Sequence, residues 1–134
     1  MDIEVLRLKP GQDLRETLES FTRDREISAA FVVSAVGSLR RAELRYAGRA
    51  GATVHEGDLE IVALSGTLAR DGCHLHAALA DRNGTVFGGH VLPGCIVRTT
   101  GELVIGVSGK HRFSREFDPE TGFRELVVRR NLRD

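Results

Sequence analysis

The chain has 134 residues, of which 41% are hydrophobic and 28% are charged, and its nineteen basic residues balance nineteen acidic ones. This length and composition predict one globular domain spanning residues 1–134 and argue against a disordered or fibrous chain. A net charge of zero lacks the basic excess that usually draws a protein onto nucleic acid.

The first part of the chain is predicted to hold a strand, a helix and a second strand. Apolar residues alternate with polar ones across residues 3–8, and a slip of phase after Val5 predicts either a bulge or a strand partly covered on both faces. Apolar residues at helical spacing then predict an amphipathic helix over residues 12–25. The mostly apolar run at residues 27–36 predicts a strand covered on both faces, with a buried helix as the alternative.

The rest of the chain is predicted to be β structure interrupted by turns. Alternating patterns bounded by glycine, proline and aspartate are typical of short strands. The predicted strands cover residues 42–47, 59–68, 74–80, 85–91, 95–99, 102–108 and 123–128. Residues 109–122 are polar and end in a turn signal, so we expect a loop there. One early helix and many strands without regular βα alternation predict an α+β domain with a mostly antiparallel, barrel-like sheet.

Targeting signals are not visible in the sequence. Residues 1–4 show no basic region followed by an apolar run, so no signal peptide is predicted. No stretch approaches the roughly 18 apolar residues that a membrane helix requires. Cys73 and Cys95 do not make a disulfide framework, which is typical of a reducing compartment. We therefore expect a cytoplasmic protein with no membrane association.

Three of the five histidines, His74, His76 and His90, fall on a predicted β-hairpin. His74 and His76 are two residues apart on a strand and therefore face the same side. The turn decides whether His90 joins them. A two-residue loop at residues 83–84 would put His90 on the wrong face. A three-residue loop at residues 82–84, with a left-handed glycine at its end, would place His90 opposite His76.

Three imidazoles on one face predict a site for a divalent transition metal. Directly opposed residues on paired strands have Cβ atoms about 4.5–5.5 Å apart, and imidazole nitrogen binds zinc at about 2.0–2.1 Å. We expect zinc, or another divalent transition metal, with one coordination position left open for water or substrate. The alternative is that these histidines are ordinary surface or core residues.

Two further residues are candidates for catalysis. Glu102 could act as a fourth ligand or a general base, or it could pair with an arginine such as Arg98, which is itself a candidate to converge on the metal. Cys73 adjoins His74, but adjacent strand residues point to opposite faces. We therefore expect Cys73 to be a small buried hydrophobic residue and not a ligand.

Two runs of the hairpin carry a resemblance to a known family. They are His-Leu-His-Ala-Ala-Leu-Ala-Asp at residues 74–81 and Gly-Thr-Val-Phe-Gly-Gly-His-Val at residues 84–91. Together they resemble the signature of the plants-and-prokaryotes-conserved (PPC) domain. Residues 36–39, 64–68 and 118–122 agree with the same family, and the similarity covers essentially the whole chain.

The resemblance implies an α+β fold and, for the stand-alone prokaryotic members, a homotrimer. It also implies similarity in fold to acetolactate decarboxylase, a zinc enzyme whose metal is held by three histidines, two of them in a His-x-His pair. In plants the domain accompanies AT-hook motifs that bind AT-rich DNA, but this sequence has no Gly-Arg-Pro core of such a hook. The plant-type domain tends to lack the histidines, so metal binding has to be argued from His74, His76 and His90 themselves.

Three functions remain open at this point. The first is an oligomeric module that binds a metal ion or a small-molecule ligand and has a regulatory or unknown role. The second is a metal-dependent, lyase-like enzyme acting on a small carboxylic acid, and convergence of Glu102 or Arg98 on the metal would favour it. The third is a DNA-associated assembly protein. We expect the isolated chain not to bind DNA, although a trimer could gather copies of Arg129, Arg130 and Arg133.

Overall fold

The computed structural model describes residues 1–132, which contain one helix and eight strands. The helix, α1, spans Leu14–Asp24. The strands are β1 (Asp2–Leu8), β2 (Ala30–Arg45), β3 (Thr53–Ala69), β4 (Gly72–Ala80), β5 (Val86–Val91), β6 (Ile96–Val107), β7 (His111–Asp118) and β8 (Phe123–Arg130). Within this part of the chain, no helix is long and apolar enough to cross a membrane.

Six strands form one antiparallel sheet in the order β1-β6-β2-β3-β4-β5, and β7 and β8 form a separate two-stranded sheet. The larger sheet curls, because β5 also pairs with β2 through Leu44 with Val91 and Arg45 with His90. The α+β, mostly antiparallel prediction is confirmed. The barrel-like prediction is corrected, since the sheet is not a closed barrel. Among the described strands, β1 pairs with β6 alone and keeps its other edge unpaired.

Helix α1 packs its apolar face onto the inner side of the curled sheet. Leu14, Leu18 and Phe21 are buried in one cluster with the inward-facing residues of the strands. The carboxylate of Asp13 caps the helix, because it accepts a hydrogen bond from the backbone nitrogen of Glu16 at 2.9 Å. The predicted helix is therefore confirmed, and its polar face points away from the core.

Two details of the first strands were predicted wrongly. The pairing of β1 with β6 runs without interruption, so β1 contains no bulge. The slip of phase arises because Ile3 and Val5 face outward, with 49% and 69% of their surface exposed, while Leu8 faces the core. Similarly, β2 is not covered on both faces, because Val33 and Val36 are half exposed. Exposed apolar residues on the outer face of the sheet therefore produced a sequence pattern like that of a fully buried strand.

The polar segment predicted as a loop instead contains β7, which pairs along its whole length with β8 to form a C-terminal hairpin. Such a two-stranded ribbon, exposed on much of its surface, does not need a continuous apolar face, so its sequence carries a weak strand signal. The C-terminal hairpin is fastened to the large sheet. The backbone nitrogen of Phe113 donates to the carbonyl of Ser28 at 2.9 Å, and the backbone nitrogen of Arg115 donates to the carboxylate of Asp71 at 3.2 Å.

Strand β5 approaches β4 so closely that Gly88 has no room for a side chain, because a Cβ there would overlap with the carbonyl oxygen of Ala77. We therefore expect Gly88→Ala to lower the free energy of unfolding by about 1–3 kcal/mol, since the strands must move apart. Gly51→Ala is the control, because no heavy atom lies within 4 Å of its Cβ position. Urea denaturation should show a change below about 0.5 kcal/mol for this control. Equal effects of the two substitutions would contradict the close approach.

Candidate metal centre

The loop between β4 and β5 sets the position of the third histidine. The backbone nitrogen of Asp81 donates to the carbonyl of Thr85 at 3.0 Å, and that of Gly84 donates to the carbonyl of Asp81 at 2.9 Å. Gly84 has a φ of 78°, in the left-handed region that glycine adopts without steric cost. The three-residue loop is thus confirmed, and His90 lies directly opposite His76.

His74, His76 and His90, the histidine cluster, offer ligand atoms that all lie within 4.8 Å of one another. The Nε2 atoms of His74 and His76 are 3.1 Å apart. Tetrahedral coordination with bonds of about 2.0–2.1 Å would separate two ligand nitrogens by about 3.3–3.4 Å. The donor atoms and their spacing therefore fit a divalent transition metal, provided that His90 rotates towards the other two.

The histidine cluster lies on the outer face of the sheet, beneath the edge of the C-terminal hairpin. His74 pairs with Thr67 of β3 and therefore shares its face. Above this point, Nη2 of Arg115 in β7 donates to Oγ1 of Thr67 at 2.8 Å. The C-terminal hairpin thus forms a wall beside the histidines and partly screens them from solvent.

Two cavities adjoin the histidine cluster. The smaller, of about 350 Å³, lies where the C-terminal hairpin approaches the polar face of α1. The larger, of about 760 Å³, is bounded by the loop at residues 46–50. His74, His90 and the exposed ring of Phe123 line both cavities. A ligand in either cavity would therefore reach the imidazoles.

Arg15 of α1 connects the helix to both strands of the histidine hairpin. Its Nη1 donates to the carbonyl of Val91 at 2.8 Å and lies 3.4 Å from Nε2 of His90. Its Nη2 donates to the carbonyl of Cys73 at 3.3 Å, and its Nε pairs with Glu19 at 2.8 Å. Arg15 belongs to the polar face of the amphipathic helix predicted from the sequence. No local pattern distinguishes it from the other polar residues there.

Burial and neighbouring positive charges lower the pKa values of His74 and His90. Burial lowers the pKa of His90 to about 4, and the charges of Arg45, His74 and Arg15 lower it further in that order of size. Burial also lowers the pKa of His74, followed by the charge of His76. Neutral imidazole is the form that binds a metal, so near neutral pH protons do not compete for the ring nitrogens of His74 and His90.

The two candidate catalytic residues lie elsewhere on the sheet. Glu102 and Arg98 are both in β6, which β2 and β3 separate from β4. Nη1 of Arg98 pairs with a carboxylate oxygen of Asp58 at 2.7 Å. The acids that line the smaller cavity are instead Asp71 and Glu125. Sequence reasoning missed them because they come from the β3–β4 turn and from β8, which only the folded chain brings together.

Cys73 behaves as predicted, as a buried residue that faces away from the histidines. Only 7% of its surface is exposed. Burial raises the pKa of its thiol to about 12, so the sulfur keeps its proton at neutral pH. The thiol donates to Oε1 of Glu19 at 3.4 Å.

The comparison with protein families settles what kind of domain this is. The family model of the Plants and Prokaryotes Conserved (PCC) domain, the family called PPC above, matches residues 1–108. The chain belongs to this family. The match includes α1 and every strand of the large sheet, and therefore the whole histidine cluster. The C-terminal hairpin lies beyond it.

Segments similar to this chain occur inside longer proteins. A protein from Synechococcus sp. (strain JA-2-3B'a(2-13)), named bifunctional protein GlmU, is 49% identical over 128 residues, which are 96% of this chain and 20% of that protein. A protein of the same name from strain JA-3-3Ab is 51% identical over 123 residues. The chain thus spans about a fifth of the length of these curated relatives.

Two solved structures resemble the whole chain. A hypothetical protein from Salmonella is 41% identical, with a TM-score of 0.94 over 98% of this chain and 95% of that one. A protein from Archaeoglobus fulgidus, described as metal-containing, is 31% identical, with a TM-score of 0.77 over 95% of this chain and 94% of that one. The fold is therefore shared with independently solved proteins.

The lowered pKa of His90 predicts a specific titration in the metal-free protein. Its ring should take up a proton at about pH 4, well below the ordinary value of 6.5. Because the unfolded chain is protonated first, the metal-free protein should lose stability as pH falls from 6.5 towards 4. Chemical shifts of the ring protons in NMR would measure the midpoint. A midpoint near the ordinary value would contradict the predicted environment.

Proposed function

We propose that the protein is a metal-binding module of the PCC family, in which His74, His76 and His90 bind one divalent transition-metal ion. The convergence of three imidazoles on one face of a hairpin carries the proposal. The relative from Archaeoglobus fulgidus that is described as metal-containing supports it. Zinc is the ion we expect first, because three imidazole ligands and one open position are typical of zinc sites.

Binding ranks ahead of catalysis in this proposal. The acid–base candidates Glu102 and Arg98 lie on β6, away from the histidine cluster. An open coordination position beside a cavity suits a reversible ligand as well as a substrate. The role of the module in the cell would then be regulatory, with the bound ion holding a small molecule in place.

The protein purified without chelator or affinity tag should contain about one transition-metal ion per chain. His76→Ala should lose it, because His76 adjoins His74 on β4 and lies opposite His90 on β5. Elemental analysis by plasma mass spectrometry would measure both proteins. A metal content in His76→Ala equal to that of the native chain would refute the site.

A histidine outside the cluster provides the matched control. His111 begins β7, and its Nδ1 lies 2.7 Å from Oγ of Ser108. His111→Ala removes the same side chain and should leave the metal content unchanged. Metal loss from both variants would indicate adventitious binding to histidines in general.

We also propose a homotrimer, in which neighbouring copies cover an apolar patch on the outer face. Ile3, Val5 and Val36 form this outer patch: Ile3 and Val5 share a face of β1, and the strand pairings place Val36 on the same face. Strands β1 and β2 lie on either side of β6, and apolar residues grouped on one face of a sheet mark a contact surface more often than single exposed ones do. The unpaired edge of β1 lies beside the patch, and exposed edges are commonly covered by assembly.

Light scattering after gel filtration at micromolar concentration should return three times the chain mass of 14.7 kDa. Val5→Glu should shift the protein towards the monomer, because it places a charge in the middle of the contact. Val128→Glu, at a similarly exposed valine of β8, is the control and should leave the mass unchanged. A monomer mass for the native chain would rule out the trimer.

DNA binding is not part of the proposed function. Arg129 and Arg130 were the arginines predicted to gather near the carboxyl end, and Arg129 pairs with Glu116 at 2.8 Å. Arg133, the third member of the basic group predicted near the carboxyl end, lies outside the described residues. We further propose a cytoplasmic location, which the two free thiols Cys73 and Cys95 support.

A further inference from the structure

The smaller cavity beside the histidine cluster has a cationic lining. Besides the histidines, its charged lining residues are four arginines and two acids: Arg15, Arg45, Arg115 and Arg124, with Asp71 and Glu125. Because arginine stays charged at any ordinary pH, this arginine cavity has an excess of positive charge even without a metal ion.

The arginines come from four different elements, and hydrogen bonds hold the side chains of Arg15, Arg115 and Arg124. Arg15 is fixed to the carbonyls at the ends of β4 and β5. Nη2 of Arg124 donates to the carbonyl of Arg115 at 2.7 Å. Arg45 lies directly opposite His90 in the contact between β2 and β5. Side chains that are held in position lose little further freedom when they bind a ligand.

One donor of an arginine that lines the arginine cavity has no partner among the described residues. Nε of Arg115 is buried and has no acceptor among residues 1–132. Nη2 of the same guanidinium uses one of its hydrogens on Thr67. Buried donors are nearly always satisfied, because desolvation without a hydrogen bond is costly. The guanidinium of Arg115 therefore keeps unused hydrogen-bonding capacity at the wall of the cavity that this residue lines.

We propose that the arginine cavity binds a small organic anion through a carboxylate or phosphate group, next to the ion held by the histidine cluster. This anion site adds a ligand class to the proposed function, and it depends on that function only for the presence of the metal ion. A guanidinium presents parallel donors that match the oxygens of carboxylate and phosphate. The volume of about 350 Å³ suits a small molecule.

Charge balance favours the same ligand class. A divalent ion on three neutral imidazoles would lie close to Arg15 and Arg45, with repulsion between like charges. Asp71 cannot offset this fully, because it already accepts from Arg124 and from the backbone of Arg115. An anion bound by the guanidinium groups would reduce this repulsion, and it could supply an oxygen ligand to the ion.

Isothermal titration calorimetry on the metal-loaded protein, at constant ionic strength, tests the inference with malonate and inorganic phosphate as probes. The native protein should bind one probe more tightly, which identifies the carboxylate or the phosphate as the preferred group. Arg45→Gln and Arg124→Gln should each weaken that binding about tenfold or more, because each removes charged hydrogen bonds. Arg124 is 60% exposed, so its replacement should leave the fold intact.

The control is Arg23→Gln, which removes an exposed arginine of α1 that pairs with Asp24 outside the arginine cavity. It should bind the probe as tightly as the native protein. Metal content and thermal unfolding are measured on every sample. Native protein that carries the ion but binds neither probe would overturn the inference, and so would folded Arg45→Gln and Arg124→Gln variants with native affinity.

Failure of the metal proposal would look different. Native protein without the ion would overturn the proposed function. The anion site would still be supported if the metal-free protein bound a probe and lost that binding in Arg45→Gln and Arg124→Gln. If Arg23→Gln also lost probe binding, the loss would reflect the change in net charge of the protein, and the anion site would be overturned.

Discussion

The register of the β4–β5 hairpin is the constraint on which the site depends. Side chains alternate between the two faces of a strand, so a slip of one residue would move His90 to the face opposite His76. The loop prevents this slip, because Gly84 takes the left-handed conformation that the three-residue turn requires. Close contact of Gly88 with the backbone of β4 holds the pairing farther along the strand. The relative position of the three imidazoles therefore depends on two glycines that carry no functional group.

Positive charge around the cluster has two opposite effects on a metal ion. The guanidinium groups of Arg15 and Arg45 help to keep His90 neutral and therefore ready to bind. The same groups repel a divalent cation. This repulsion is stronger than in water, because the site is partly shielded from solvent. Which effect is larger depends on what else occupies the cavity. Binding of an ion and binding of an anion should consequently be coupled, each strengthening the other by the same factor.

The sequence predicted the centre of the site but not its surroundings. The turn chemistry of residues 82–84 and the His-x-His spacing are local, so the pairing of His76 with His90 could be worked out in advance. Arg15 and Glu125 come from distant segments, and their approach depends on packing that no local pattern encodes. The fold shows the same division. Helix α1 was predicted from its periodicity, whereas β7 was missed because an exposed ribbon lacks an apolar face.

Family membership defines the site only in part. The family match covers residues 1–108 and contains His74, His76 and His90, together with Arg15 and Arg45. The opposite wall of the arginine cavity, with Arg115 and Arg124, belongs to the C-terminal hairpin, beyond the matched segment. Similar folds host different functions when the residues around a common site change. Ligand preference therefore has to be established on this chain, because the wall that would select the ligand lies outside the segment that identifies the family.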